Sequence, residues 1–362
     1  MSAAHTALPK PFTAPETSRA LFWWLMIIGL LVMAMIVVGG ATRLTGSGLS
    51  ITEWRPVTGA IPPMTEQGWQ EEFDRYRQIP QYQLLNRGMS MGEFQFIYWW
   101  EWGHRQLGRF LGLAFALPFF FFLFTRRVPD RLKVRLWVLF ALGGLQGAIG
   151  WWMVASGLTE RVAVSQYRLA THLIMAFAIL GLILWTMLEL RYGKTALLKR
   201  GRLFPLAGAF WGLVLFQIAL GALVAGTGAG RIFTTWPGFE GQLFPADYLS
   251  GMPVWQAVFE SLPAIQFQHR WVGYGLAILG CVLAFRLWRS GAEDLRRAGI
   301  ILPVLIGAQV GLGIWTLVSA SPLGLSLAHQ AGAIILFGMA GYTAWLTART
   351  ENASPIKVAA SA

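Results

Sequence analysis

Long apolar runs separated by polar segments dominate the pattern of hydrophobic and polar positions along the chain. A helix crosses the hydrocarbon core of a bilayer with about 20 predominantly apolar residues. Eight runs qualify, so the pattern predicts eight transmembrane helices. We expect the second, fourth, sixth and eighth helices to begin several residues before their apolar cores. The cores span Leu21–Ala41, Leu107–Phe124, Leu136–Val154, Leu169–Leu188, Phe204–Ala225, Val272–Leu287, Ile300–Val318 and Leu325–Leu346.

The composition supports a membrane protein. Hydrophobic residues make up 55% of the chain, charged residues only 13%, and 14% are aromatic. Soluble domains carry about 25% charged residues, and disordered chains are poor in aromatic residues. A single cysteine, Cys281, excludes an internal disulfide or a CxxC metal site. We expect Cys281 to be a small, buried, apolar residue.

The distribution of Lys and Arg predicts the orientation. Basic residues cluster in the connections after the second, fourth and sixth runs, and the positive-inside rule places such connections in the cytoplasm. Both termini then lie in the cytoplasm. The net charge of +12 therefore reflects topology, and no nucleic-acid partner is expected. The clusters are Arg126, Arg127, Arg131, Lys133 and Arg135; Arg191, Lys194, Lys199, Arg200 and Arg202; and Arg286, Arg289, Arg296 and Arg297.

Two long connections, 42–103 and 226–268, are predicted to face outward. The first is rich in aromatic residues, and its stretch Glu66–Gln78 could form a short interfacial helix. Ordered caps over the outer membrane face and ordinary solvated loops both remain open.

The two halves of the chain repeat the same residues in the same order. Each half holds four runs, so the repeat predicts an all-α integral membrane protein built from two similar four-helix bundles. The predicted domains are a leader 1–20, a first bundle 21–193, a linker 194–203, a second bundle 204–348 and a tail 349–362. The matches are Thr45-Gly46-Ser47-Gly48 with Thr227-Gly228-Ala229-Gly230, Thr52/Trp54 with Thr234/Trp236, His104-Arg105 with His269-Arg270, Gln146/Gly150 with Gln309/Gly313, and His172 with His329.

Four histidines form a common layer. His104, His172, His269 and His329 lie near the outer ends of the four even-numbered runs, two in each half. Ionisable residues at membrane depth are costly and usually functional. Neutral imidazole is a ligand for haem iron, and two histidines on facing helices can supply both axial positions. The layout therefore predicts two haem-sized sites, one in each half.

Two other interpretations of the histidines stay open. Each imidazole could simply hydrogen-bond a neighbouring helix or reach the membrane interface. Zinc is a weaker alternative, because two histidines without a nearby cysteine form a thin ligand set for a closed tetrahedral site.

The halves differ beside the first histidine. Glu101 lies three residues before His104, whereas Gln266 lies three residues before His269. A carboxylate can transfer protons and an amide cannot, so the first site is predicted to carry the chemistry. Alternatively, Glu101 pairs with Arg105 at the water boundary.

Three arginines lie close to the level of the histidines: Arg105, Arg109 and Arg270. Arginine suits bidentate pairing with carboxylates, so these residues could hold haem propionates. Simple extension toward the membrane interface would explain them equally well.

These motifs together resemble those of the haem A synthase family, and the resemblance covers nearly the whole chain. It rests on Glu101-Trp102-Gly103-His104-Arg105 with Gly108-Arg109, His172 with Ala176, Phe267-Gln268-His269-Arg270 with Gly273, Ala328-His329-Gln330, and the Thr45–Ser50 stretch. Some bacterial members carry a cysteine pair in the first outer loop. This chain has none there, so it resembles the cysteine-free branch of proteobacterial and mitochondrial members.

The resemblance implies a reaction and a division of labour. Haem A synthases oxidise the C8 methyl group of haem O to a formyl group, giving haem A for terminal oxidases. By similarity, His269 and His329 would ligate a resident haem b, while His104 and His172 would flank the substrate haem and Glu101 would be required for the oxidation. The short leader favours a bacterial inner membrane over a mitochondrial import precursor, and the positive-inside rule then turns the histidine layer toward the periplasm. An unidentified electron donor is expected, and contact with a haem O synthase and a homo-oligomer are left open.

Two other classes of function compete. A di-haem cytochrome for electron transfer would also use four intramembrane histidines, although such proteins commonly place one haem near each membrane face. A transporter would fit the internal repeat, but its typical midplane break is not repeated: Pro118, the one clear mid-span proline of the even-numbered runs, has no counterpart in the sixth run.

Overall fold

The computed structural model describes residues 16–192, 201–290 and 292–349. Within these residues, eight helices are long and apolar enough to cross a membrane, and no strand is formed. The predicted fold class is therefore confirmed. Most of the leader, the linker and the tail lie outside the described residues. The helices are α1 (Glu16–Leu44), α2 (Glu66–Arg77), α3 (Pro80–Leu84), α4 (Met91–Phe124), α5 (Asp130–Ala155), α6 (Gln166–Tyr192), α7 (Phe204–Thr227), α8 (Val254–Glu260), α9 (Leu262–Trp288), α10 (Glu293–Val318) and α11 (Leu323–Arg349).

The even-numbered spans begin before their apolar cores, as predicted. The largest difference is in α4, which starts at Met91 although its apolar core starts at Leu107. A capping box fixes this start: Ser90 accepts a hydrogen bond from the Glu93 backbone, and the Glu93 carboxylate accepts one from Ser90. The first outer connection is therefore shorter than 42–103, because its last residues already belong to α4.

Each set of four long helices packs in a ring. In the first half α1 contacts α4 and α6, and α5 contacts α4 and α6. In the second half α7 contacts α9 and α11, and α10 contacts α9 and α11. The two rings use corresponding helices in corresponding places, which is the packing that the internal repeat implies.

The two rings share one continuous apolar core. This core includes Phe177 of α6 and Phe337 of α11. Their aromatic side chains meet edge to face, with centroids 5.1 Å apart. The two rings of helices join where α6 contacts α7 and α11, and where α1 contacts α11. The sequence repeat pairs α1 with α7 and α6 with α11. The α6–α7 contact and the α11–α1 contact are therefore equivalent.

An ordered cap covers one end of the first ring. Its short helix α2 begins where Thr65 accepts a hydrogen bond from the Gly68 backbone. Phe73 and Tyr76 of α2 are buried against Phe94 of α4, with the Phe73 and Phe94 rings stacked at 4.8 Å. Burial, the largest cause, raises the pKa of Tyr76, so its phenol stays neutral over the physiological range. The helix predicted at Glu66–Gln78 is thus present, and this loop is an ordered cap.

Cys281 is exposed on the outer face of α9 and is not the buried residue that we expected. It lines a groove near the predicted cytoplasmic end of the helix, together with Phe285, Arg286 and Arg289. A lipid-facing position satisfies a small apolar side chain as well as a protein core does, so composition alone could not separate the two environments.

Candidate functional site

The four histidines occupy equivalent places in the two rings. His104 lies on α4, His172 on α6, His269 on α9 and His329 on α11, and all four are half-buried. The imidazoles of His104 and His172 lie within electrostatic range of each other, and so do those of His269 and His329. The structure therefore brings together one histidine pair in each half.

Each imidazole rests against a glycine of a neighbouring helix. A methyl group added to the glycine would lie 2.9–3.3 Å from the ring Cε1 atom, closer than ordinary van der Waals contact. Any larger residue at these positions would displace the imidazole ring, so each position requires a glycine. The pairs are Gly39 with His104, Gly150 with His172, Gly221 with His269, and Gly313 with His329.

Glutamines hold both histidine rings of the second half. The side-chain amide of Gln217 on α7 lies 3.1 Å from His269 Nδ1 and donates to the His269 backbone carbonyl at 2.8 Å. Gln309 on α10 makes the same two contacts with His329, at 3.2 Å and 3.0 Å. Both rings are thus fixed at Nδ1.

The first half lacks these ring contacts. Gln146, the repeat partner of Gln309, donates to the His172 carbonyl at 3.0 Å. The Nδ1 atom of His172 is buried without a hydrogen-bond partner among the described residues. Met35 occupies the place of Gln217: its methyl group faces Gly108, as the Gln217 amide faces Gly273.

Glu101 is buried and both of its oxygen atoms are engaged. Oε1 accepts hydrogen bonds from the Arg105 guanidinium, and Oε2 accepts from the Ser50 hydroxyl at 2.8 Å and the Ile51 backbone at 2.9 Å. The pairing with Arg105, which the sequence offered as an alternative, is therefore present. The carboxylate also fastens the first outer connection to α4.

Gln266 fastens the second outer connection to α9 by donating hydrogen bonds, whereas Glu101 accepts them from the first connection. Its amide group donates to the carbonyls of Ala229 and Phe233, at 2.8 Å and 3.1 Å. Its oxygen accepts from Arg270 at 2.8 Å. The two halves thus share one framework, but only the first half has a carboxylate at this position.

The three arginines bind the outer connections. Arg105 donates to the carbonyls of Ile51 and Glu53, and Arg270 donates to the repeat-related carbonyls of Phe233 and Thr235. Arg109 donates to the carbonyls of Arg55 and Pro56. Most guanidinium donors are therefore already used, and a role with propionates stays a prediction.

Sequence reasoning missed several residues around the histidines. Gln217 and Met35 carried no signal until the histidines were placed, because a lone amide or thioether in an apolar run has no diagnostic spacing. Gly39 and Gly221 could have been found, since the offset that aligns Thr45 with Thr227 also aligns these two glycines.

The residues fit a flat, iron-bearing macrocycle better than a bare metal ion. Each half offers two imidazoles on separate helices, each seated in a glycine cradle. Among the described residues, no three His, Cys, Asp or Glu side chains gather as a metal ion would require. Two axial nitrogen ligands are sufficient for a haem, whose porphyrin supplies the others.

Known proteins share this sequence over most of its length. Residues 22–340 match the family model COX15-CtaA, described as cytochrome oxidase assembly protein. A heme A synthase of Maricaulis maris is 53% identical over 339 residues, covering 94% of this chain and 99% of the relative. The heme A synthase of Parvibaculum lavamentivorans is 53% identical over 322 residues, covering 89% and 92%. The chain therefore belongs to the COX15-CtaA family of cytochrome oxidase assembly proteins.

Proposed function

We propose that this protein is a haem A synthase that oxidises the C8 methyl group of haem O, through the alcohol, to the formyl group of haem A. The observation that carries the proposal is the duplicated histidine framework, which has a carboxylate partner, Glu101, in one half only. The names of the relatives, heme A synthase, support the same reaction.

We assign the two halves different tasks. His269 and His329 hold a resident haem b, and His104 and His172 hold the iron of the substrate haem O. Bound there, haem b supplies one-electron redox chemistry. The glutamine contacts at His269 and His329 support a permanent site in the second half, because outer hydrogen bonds orient metal-ligating imidazoles.

Glu101 is the proton-handling group of this proposal. Conversion of a methyl to a formyl group breaks two C–H bonds and adds one oxygen atom, so it needs an external oxidant. A carboxyl group one helical turn from His104 can take up the protons that are released. Arg105, Ser50 and Ile51 hold the carboxylate in one orientation. Gln266 cannot take up a proton, which fits a second half that only holds its haem.

The protein is a multi-pass membrane protein, and we place it in a bacterial inner membrane with both termini in the cytoplasm. The two outer connections and the histidine layer then face the periplasm, while the basic connections face the cytoplasm. We further propose that a haem O synthase supplies the substrate and that a separate redox partner completes the electron balance of the reaction.

The test is to express the protein in a host that makes haem O but no haem A, and to identify the extracted haems by mass. We expect haem A with the wild-type chain. The His104→Ala, His172→Ala and Glu101→Ala variants should fail to accumulate it. His329→Ala should lose the resident haem as well.

Two results would contradict the proposal in different ways. Haem A formation at the wild-type rate by Glu101→Ala would remove the proton role but leave the reaction standing. Two permanently bound haems with no change in the extracted haem type would instead indicate an electron-transfer cytochrome.

A further inference from the structure

The two histidine pairs differ in how firmly their rings are held. In the second half, Gln217 and Gln309 contact the Nδ1 atoms of His269 and His329. In the first half no described residue contacts Nδ1 of His172, and His104 has Met35 where His269 has Gln217. The backbone framework is repeated, but these ring contacts are not.

The residues compared occupy equivalent positions in the two repeats. Gln309 and Gln146 stand at equivalent positions of α10 and α5, and both donate to a histidine backbone carbonyl. Only Gln309 also reaches the ring. On α7 and α1, Gln217 and Met35 occupy equivalent positions, each facing the equivalent glycine of the next span, Gly273 or Gly108.

We propose that Gln217 and Gln309 are positioning residues that make the second half retain its haem, and that Met35 leaves the first half open to haem exchange. This inference rests on the proposed function, because it assumes that the histidines bind haem. An enzyme that keeps one haem and turns over another needs one rigid and one releasable pair of ligands.

The physical reason lies in the second ring nitrogen. An imidazole that binds iron through Nε2 carries a proton on Nδ1, and an outer acceptor for that proton fixes the ring and strengthens the ligand. The side-chain oxygens of Gln146, Gln217 and Gln309 are all buried without a partner among the described residues, but only the amides of Gln217 and Gln309 already reach a ring nitrogen. Turning either amide exchanges its hydrogen bond to the histidine carbonyl for one in which the amide oxygen accepts the Nδ1 proton of the iron-bound ring.

The histidine rings of the first half are held less firmly. A thioether is at most a weak acceptor, so Met35 does not hold the His104 ring at Nδ1. Since no described residue hydrogen-bonds Nδ1 in that half, both rings lose less on releasing iron. A substrate haem can then enter and the product can leave without breaking a hydrogen-bonded pair of ligands.

The experiment exchanges the equivalent residues in the full-length protein. Gln217→Met and Gln309→Met should weaken haem retention in the second half roughly 10–100-fold, the usual effect of losing an outer partner of a metal ligand. Met35→Gln should raise haem retention in the first half. The readouts are haem content after purification, the rate of transfer to an excess of apomyoglobin, and the electron paramagnetic resonance of the ferric haems.

Gln146→Met is the matched control, since Gln146 touches only the His172 carbonyl, and it should leave the second half's haem unchanged. Unchanged retention in Gln217→Met, Gln309→Met and Met35→Gln would overturn this inference alone, provided that His329→Ala still loses haem. Haem binding that survives His329→Ala and His104→Ala would overturn the proposed function itself.

Discussion

At the scale of single residues, Arg105 and Arg109 lie one turn apart on α4 but differ in what depends on them. Arg105 neutralises the buried Glu101 and holds two loop carbonyls. Removing one partner of a buried ion pair costs about 3–5 kcal/mol. We predict that Arg105→Ala lowers the thermal unfolding temperature in detergent and exposes the segment 45–90 to limited proteolysis.

Arg109→Ala serves as the control for that prediction. Its hydrogen bonds to Arg55 and Pro56 are exposed to solvent, so its loss should cost about 1 kcal/mol. If Arg105→Ala left stability unchanged and reduced haem content instead, binding of propionates would explain the arginine better than its contacts with the cap.

The residue scale also marks the limit of what the sequence could predict. Repetition identified the histidines and the contrast between Glu101 and Gln266, because both leave a trace at fixed offsets. The geometry of Glu101 depends on Ser50 and Ile51, about fifty positions away in the chain, and no local pattern predicts that contact.

At the scale of helices, close packing of a glycine against an imidazole determines where each ring sits. A methyl group at Gly313 of α10 would lie 2.9 Å from Cε1 of His329, so the ring or the helix must move. We predict that Gly313→Ala lowers haem content and alters the ferric haem spectrum, although alanine is otherwise preferred over glycine in a helix by about 1 kcal/mol.

Gly311 is the matched control on the same helix, because a methyl group there meets nothing within 4 Å. Gly311→Ala should keep its haem and be as stable as the wild type or slightly more so. A loss of haem in both variants would point to the packing of α10 as a whole or to its insertion into the membrane, not to the contact with His329.

Hydropathy predicted the number and order of the spanning helices but not the start of α4. Glu93, Glu101 and Arg105 lower the apolar signal there, yet capping by Ser90 and the ion pair within the helix keep the backbone helical. Polar residues that satisfy one another within a helix look like a loop when only hydropathy is read.

At the scale of the whole molecule, the two halves meet close to both histidine pairs. The Gln330 amide on α11, next to His329, donates to the Ile36 carbonyl on α1 at 2.7 Å. Gly40 lies beneath that amide, and its neighbour Gly39 supports His104. Arg43 adds a second link by donating to the Gly226 carbonyl of α7 at 2.8 Å. The sequence repeat predicted two bundles but not these contacts, which join residues far apart in the chain.

We therefore predict that a change at Gly40 is felt in both halves. A methyl group there would lie 1.8 Å from the Gln330 side-chain oxygen, so the amide must leave and its bond to Ile36 is lost. Gly40→Ala should cost about 1–3 kcal/mol of stability and lower haem occupancy at both sites. Gly29→Ala, whose methyl group meets Ile183 at an ordinary 3.5 Å, should change neither property. If Gly40→Ala affected only one haem, α1 and α11 would not couple the two sites, and each half would hold its haem independently.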